Sequence, residues 1–190
     1  MNLRKLTVVL LILTLLSGCR RAESRERAEF RRIRSELAAK ETIVLRAEVT
    51  ADYGERVYRY TLRYEGTAEG GMLTVEEPKD LSALTIGLSD QGVTLHCDGA
   101  VLDTGTIAGK LSPVEVFPLQ LRSWQYGSIL GSSREKRDGI DCTVTELELR
   151  CEGEEKPLVC RVWFPLGGTQ PLFSELSRDG SAVLFCRYLK

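Results

Sequence analysis

The sequence predicts an α+β fold: a half-open, strongly curved antiparallel β-barrel of about ten or eleven strands, with an N-terminal helix and a central lid helix. Three observations carry this. From residue 43 onward, most segments alternate apolar and polar residues with period two and are divided by turns rich in Gly, Asp and Pro. Two segments break that period with helical spacing, 22–40 and 112–126. A long run of antiparallel strands curls rather than staying flat, and a helix on its concave side covers the apolar interior.

Residues 1–18 read as a secretory leader. Arg4 and Lys5 form a positive start, and 6–16 is an apolar stretch well short of the roughly 20 residues a membrane-spanning helix needs. The order Leu16-Ser17-Gly18-Cys19 resembles the lipobox of bacterial lipoproteins. That resemblance implies acylation of Cys19, with palmitate among the expected groups, and Cys19 as the new N-terminus. More than one acyl chain makes such anchoring stable, at roughly 0.8 kcal/mol per buried methylene. The expected place is the outer, extracytoplasmic face of the cell membrane. Residues 19–29 are then a tether and the start of a helix, and 30–190 one domain.

Acidic and basic residues nearly balance, with a formal net charge of −1, so no global field draws nucleic acid. The local basic cluster of Arg20, Arg21, Arg25, Arg27, Arg31, Arg32 and Arg34 is interleaved with Glu23, Glu26 and Glu29. It reads as a solvated helix face with i,i+3 and i,i+4 pairs, whose first arginines also suit anionic headgroups. Phe30, Ile33 and Leu37 form a narrow apolar stripe on that helix.

Strands follow. Leu45, Ala47 and Val49 share one face of 43–50, and Tyr58, Tyr60, Leu62 and Tyr64 share one face of 57–64, across the turn Asp52-Tyr53-Gly54. Further strands are expected at 72–76, 84–88, 93–97, 101–102, 140–150, 158–164, 172–176 and 182–188, with Asp98-Gly99 as a type I′ hairpin turn. In 140–151 the apolar parity switches, from Ile140, Cys142 and Val144 to Leu147, Leu149 and Cys151, which predicts a bulge near Thr145-Glu146. In the central helix Ser112 is an N-cap, Pro113 fits N1 and Glu115 completes a capping box. Val114, Phe117, Leu121 and Trp124 share its apolar face, Pro118 is expected to kink it, and Gly127 to stop it.

Catalytic signatures are absent. His96 is the only histidine, and its strand neighbour Cys97 points to the opposite face, so neither a metal site nor a Cys-His pair is expected. No cofactor is implied, and the expected activity is not enzymatic. Beyond Cys19 there are five cysteines, Cys97, Cys142, Cys151, Cys160 and Cys186, with no CxxC spacing. Cys160 and Cys186 sit among alternating apolar residues and read as small buried hydrophobes.

A lipobox, a leading helix, long antiparallel strands and a mid-chain helix together resemble the LolA/LolB superfamily of lipoprotein carriers and receptors. The wording of 47–54 (AEVTADYG) and 111–115 (LSPVE) is similar to LolA-like lipoproteins of clostridial bacteria. The resemblance spans 30–190 and implies a hydrophobic cavity under the helices of a half-open barrel. The lipid anchor matches the receptor-like branch, and no family functional residue can be carried over. In a host with one membrane, delivery to an outer membrane is excluded and the ligand is open.

Two functions therefore compete. In the first, an apolar cavity holds a lipid or lipidated partner, its lining drawn from Phe117, Leu121, Trp124, Trp163 and Phe164. In the second, the barrel is a filled core and the protein is a structural or interaction lipoprotein. Exposure of the helix residues separates the two.

Overall fold

The computed structural model describes residues 24–82, 84–89, 92–97, 99–105, 111–150 and 155–190, without the side chains of 103–105. The leader, Cys19, Arg20, Arg21, Asp90, Gln91, Asp98, Cys151 and the turn 152–154 lie outside the described residues. No helix among the described residues is long and apolar enough to cross a membrane.

Helix α1 (Arg25–Ala38) begins where Ser24 Oγ accepts from Arg27 N at 3.2 Å, three residues later than the charge pattern alone suggests. Its buried stripe is the expected Phe30, Ile33 and Leu37. Its outer face is tied by Arg32, which donates to Glu29 at 2.8 Å and to Glu36.

The strands are β1 (Ile43–Asp52), β2 (Val57–Gly66), β3 (Gly71–Glu77), β4 (Thr85–Ser89), β5 (Gly92–Cys97), β6 (Ala100–Gly105), β7 (Ser128–Arg137), β8 (Ile140–Leu149), β9 (Leu158–Pro165), β10 (Phe173–Arg178) and β11 (Ser181–Tyr188). They form one antiparallel sheet in the order β6-β5-β4-β3-β2-β1-β11-β10-β9-β8-β7. The sheet is open, with β6 and β7 at its edges. The chain leaves the centre through β1, meanders to one edge, crosses by helix α2 (Val116–Tyr126) to the other edge, and meanders back. Because α2 joins opposite edges, it must pass over the concave face. It runs from the β1–β2 turn, where Tyr53 OH donates to Leu111 O at 2.6 Å, to the β2–β3 turn, where Arg122 donates to Ala68 O at 3.0 Å.

One large core fills that concave face. It takes Leu45, Ala47, Val49 and Ala51 from β1, Leu62 and Tyr64 from β2, and Leu184, Cys186 and Tyr188 from β11, under the apolar faces of both helices. The β7–β8 and β10–β11 turns place Asp138-Gly139 and Asp179-Gly180 at positive φ, the geometry of type I′ hairpins.

Two local expectations are corrected. Strand β8 carries no bulge at Thr145-Glu146: its register with β9 is continuous from Cys142↔Pro165 to Leu149↔Leu158. Its two apolar sets lie on opposite faces because both faces are covered. Leu147 joins the main core, while Cys142 and Val144 form a smaller convex cluster with Trp163, flanked by Leu172 and Phe173. The bulge sits instead on β7, between Ile129 and Gly131.

Pro118 does not kink the central helix. Residues Pro113–Glu115 form a 3₁₀ turn capped by Ser112, whose Oγ accepts from Val114 N at 3.4 Å, and the α-helix starts at Val116. Pro118 thus lies in the first turn, where N–H groups have no intrahelical partner to lose. Gly127 ends the helix in extended rather than left-handed geometry, at φ −62° and ψ 145°. A Cβ there would stand 2.4 Å from Ser123 O, so the position is reserved for glycine by close approach.

Candidate functional site

Helix α2 and strand β9 bring four of the five candidate residues together. Phe117, Leu121 and Trp124 descend from the helix, and Phe164 rises from β9 beneath them. Trp124 meets Phe164 edge-on at 5.6 Å between ring centres, and Phe164 in turn meets Phe30 at 6.1 Å. Phe117 stacks on Tyr64 at 5.7 Å and tilts against Tyr188 at 6.5 Å. All four candidates are 0% exposed. Their apolar surface is spent within the core, on Phe30, Tyr64 and Tyr188 as well as on one another.

Trp163 stands apart. It is buried on the convex side, edge-on to Phe173 at 5.5 Å, with the guanidinium groups of Arg137 and Arg161 4.8 and 4.7 Å from its ring centre. Its Nε1 donates to Glu135 at 3.1 Å. The period-two rule that parts His96 from Cys97 also parts Trp163 from Phe164, so one site cannot hold both.

The interior also holds a polar group that the apolar pattern conceals. Gln120, on the buried face of α2, donates through Nε2 to Ser174 Oγ at 2.8 Å and to Cys186 Sγ at 3.2 Å. Tyr188 OH donates to Gln120 Oε1, which leaves Ser174 Oγ to donate to Tyr188 at 3.1 Å. Every polar atom of Gln120 is satisfied, which fixes the rotation of α2 over the sheet. Burial pushes the thiols of Cys160 and Cys186 up to about 12 and the Tyr188 phenol well above its ordinary value. These groups stay protonated at neutral pH. A polar residue three positions from Phe117 within the apolar stripe was the signal for this network in the sequence.

Arg34 closes the far end. Its Nε and Nη2 donate to the carbonyls of Trp124 and Gly127, both at 2.7 Å, satisfying acceptors that a helix C-terminus leaves unpaired. Helix α2 is therefore pinned at both ends and in its middle.

Open space lies at the mouth, beyond the start of α2. A cleft of about 640 Å³ is lined by Tyr53, Leu111, Ala182 and Val183, with Asp52 and Asp179 at its edge. A second of about 400 Å³, lined by Arg56, Tyr58 and Ser112, shares Tyr53 and Leu111 with it. Tyr53, Tyr58 and Tyr60 form a ladder there with ring centres 6.1 and 6.5 Å apart. Among the described residues, no group of three His, Cys, Asp or Glu side chains converges as a metal site.

No family model and no curated protein matches the chain. Solved structures do. The chain is similar to a LolA superfamily protein from Nitrosomonas europaea, at 10% identity and a TM-score of 0.45, over 88% of this chain and 93% of that one. It is similar to lipoprotein LppX of Mycobacterium tuberculosis, at 12% identity and a TM-score of 0.44, over 85% and 92% of the two chains. A structure of the CwlD amidase of Clostridioides difficile in complex with the GerS lipoprotein matches at 15% identity and a TM-score of 0.40, over 90% and 96%. At these identities and TM-scores the likeness is one of overall architecture alone, an open curved sheet with helices on its concave face.

Proposed function

We propose that the chain is a non-enzymatic lipoprotein of the cell envelope, tethered through acylated Cys19 at the extracytoplasmic face, with its half-barrel serving as a filled scaffold for interaction. The observation that carries this reading is the complete burial of Phe117, Leu121, Trp124 and Phe164 in one core. Making room for an acyl chain beneath α2 would expose several large side chains, at roughly 1.5–3 kcal/mol each. It would also break the Gln120 network and the Arg34 contacts. Native mass spectrometry of the mature protein tests the reading: no bound lipid beyond the covalent acyl groups is expected. A lipid that copurifies and is displaced by a fluorescent fatty acid would overturn it.

A second reading, acyl-chain carriage, is favoured by one feature, the mouth cleft beside Tyr53 and Leu111. In that case the ligand enters past the start of α2, not beneath the helix. Binding of the fluorescent fatty acid that is lost on Val183→Asp, and retained on a convex-face change such as Arg161→Gln, would establish it.

A further inference from the structure

On the convex side, where the β9–β10 loop meets β1, an apolar groove of about 720 Å³ runs between Val44, Ile140, Pro171 and Leu172, with Arg63 and Lys190 on its rim. Val44 and Ile140 are 44% and 42% exposed, and Leu166, on the same loop, is 42% exposed. Isolated apolar residues on a surface need no explanation, but a group of them rimmed by basic side chains marks an interaction face.

The N-terminal helix starts beside the same loop, at this end of the molecule. Gly167 N donates to Glu29 at 3.2 Å, which sets the second turn of α1 against the loop. Ser24 lies five residues before Glu29, about 8 Å along a helix axis. Cys19 lies five residues before Ser24, at most about 17 Å of extended chain. A lipid on Cys19 therefore keeps this end of the molecule close to the bilayer. The gap is too small for a folded partner, since a small domain is about 30 Å across.

We infer that this end rests on the phospholipid headgroup layer, with Val44, Ile140 and Leu166 entering the interface and Arg63 and Lys190 meeting lipid phosphates. The inference rests on the tether proposed above. Apolar side chains with long basic neighbours suit an interface, because Arg and Lys reach the polar layer while their stems stay among apolar groups. Arg63 is shared with Glu65 at 3.2 Å in an exposed pair, and its guanidinium has donors left for a phosphate. The mouth lies at the other end of β1, nine strand steps or about 30 Å away, and so faces away from the membrane.

Paramagnetic broadening of methyl signals tests this. The mature, acylated protein is placed in phosphatidylglycerol and phosphatidylethanolamine nanodiscs with and without a gadolinium-chelating lipid, and acylation of Cys19 is read from the intact mass. Signal loss is expected at Val44, Ile140 and Leu166, with Val57 and Val183 at the mouth unaffected. The double change Ile140→Glu with Leu166→Glu alters two exposed side chains; circular dichroism should show the variant folded, and the broadening at Val44 should fall while the tether still holds the protein near the bilayer. Uniform broadening in the wild type, or stronger loss at the mouth, overturns the orientation while an acylated mass leaves the tether standing. An unacylated Cys19 overturns the tether and this surface together.

Discussion

Arg34 donates to the carbonyl oxygen of Trp124 at 2.7 Å, joining the first helix to the last turn of the second across ninety residues of sequence. The same guanidinium reaches Gly127 O and lies 5.2 Å from the ring centre of Phe30. A single side chain thereby sets the angle at which both helices cover the sheet. Replacing it with methionine keeps the stem and deletes two charge-assisted bonds. The expected loss is about 3–6 kcal/mol, since each of the two bonds contributes roughly 1.5–3 kcal/mol. Urea unfolding of Arg34→Met against wild type measures it, and an unchanged midpoint would refute the role.

Leu121 is core rather than lid, so its truncation should act on stability. Leu121→Ala is expected to cost about 2–5 kcal/mol, the range for a large side chain removed from a packed interior. Leu121→Asp should prevent folding, seen as loss of far-ultraviolet circular dichroism. A folded, stable aspartate variant would mean that the space under α2 admits water.

The buried thiols make an alkaline prediction. Cys160 and Cys186 are pushed up to about 12 in the folded chain, from about 8.5 when unfolded. Above the lower value the unfolded chain gives up protons that the folded chain retains, so stability falls as pH rises from about 9 toward about 12. Below pH 8 these two groups contribute no slope. Melting temperatures across pH 7–11 check this, and the double variant Cys160→Ala, Cys186→Ala should show a shallower alkaline decline.

Cys97, Cys142, Cys160 and Cys186 carry free thiols. Adding reductant should therefore leave the melting temperature of the wild type where it was. In native protein Cys97 should react with a thiol reagent at once and Cys160 and Cys186 only on unfolding, because Cys97 is exposed and the other two are wholly buried.

Cys19→Ser should abolish labelling by an alkyne fatty acid and leave the leader attached. Labelling that survives this change would place the acyl group elsewhere.

Most of the sheet is legible in the strand patterns, most plainly in β1 and in residues 62–66 of β2, which alternate cleanly between a buried and a solvated face. Strand β7 was not legible. Its sequence, SILGSSREKR, is polar because it lies at an edge, and α1 supplies part of what pairs it: Arg27 donates to Ile129 O at 2.9 Å. The double covering of β8 was misleading for the converse reason, since apolar residues on both faces of a strand imitate a bulge. At the candidate site, spacing identified the apolar face of α2 correctly in Phe117, Leu121 and Trp124. It could not say whether that face meets space or packing, which depends on side chains brought in from β2, β9 and β11. Gln120 lies 54 and 68 residues from Ser174 and Tyr188, which the β10–β11 pairing sets side by side beneath α2.

The return of β11 beside β1 sets the order in which the strands pair as the chain emerges. Strand β1 pairs on one side with β2, its immediate successor, and on the other with β11, through contacts such as Ala47↔Tyr188 and Val49↔Cys186. A chain emerging N-terminus first can zip the first six strands locally, but the seam at the centre of its sheet stays unpaired until residues 181–188 emerge. Pairings of such long sequence separation form slowly. Throughout that interval the open side of β1 is an unsatisfied edge beside an uncovered apolar surface. The nascent molecule passes through a sticky, half-zipped stage in which chaperones have their opportunity and aggregation its risk.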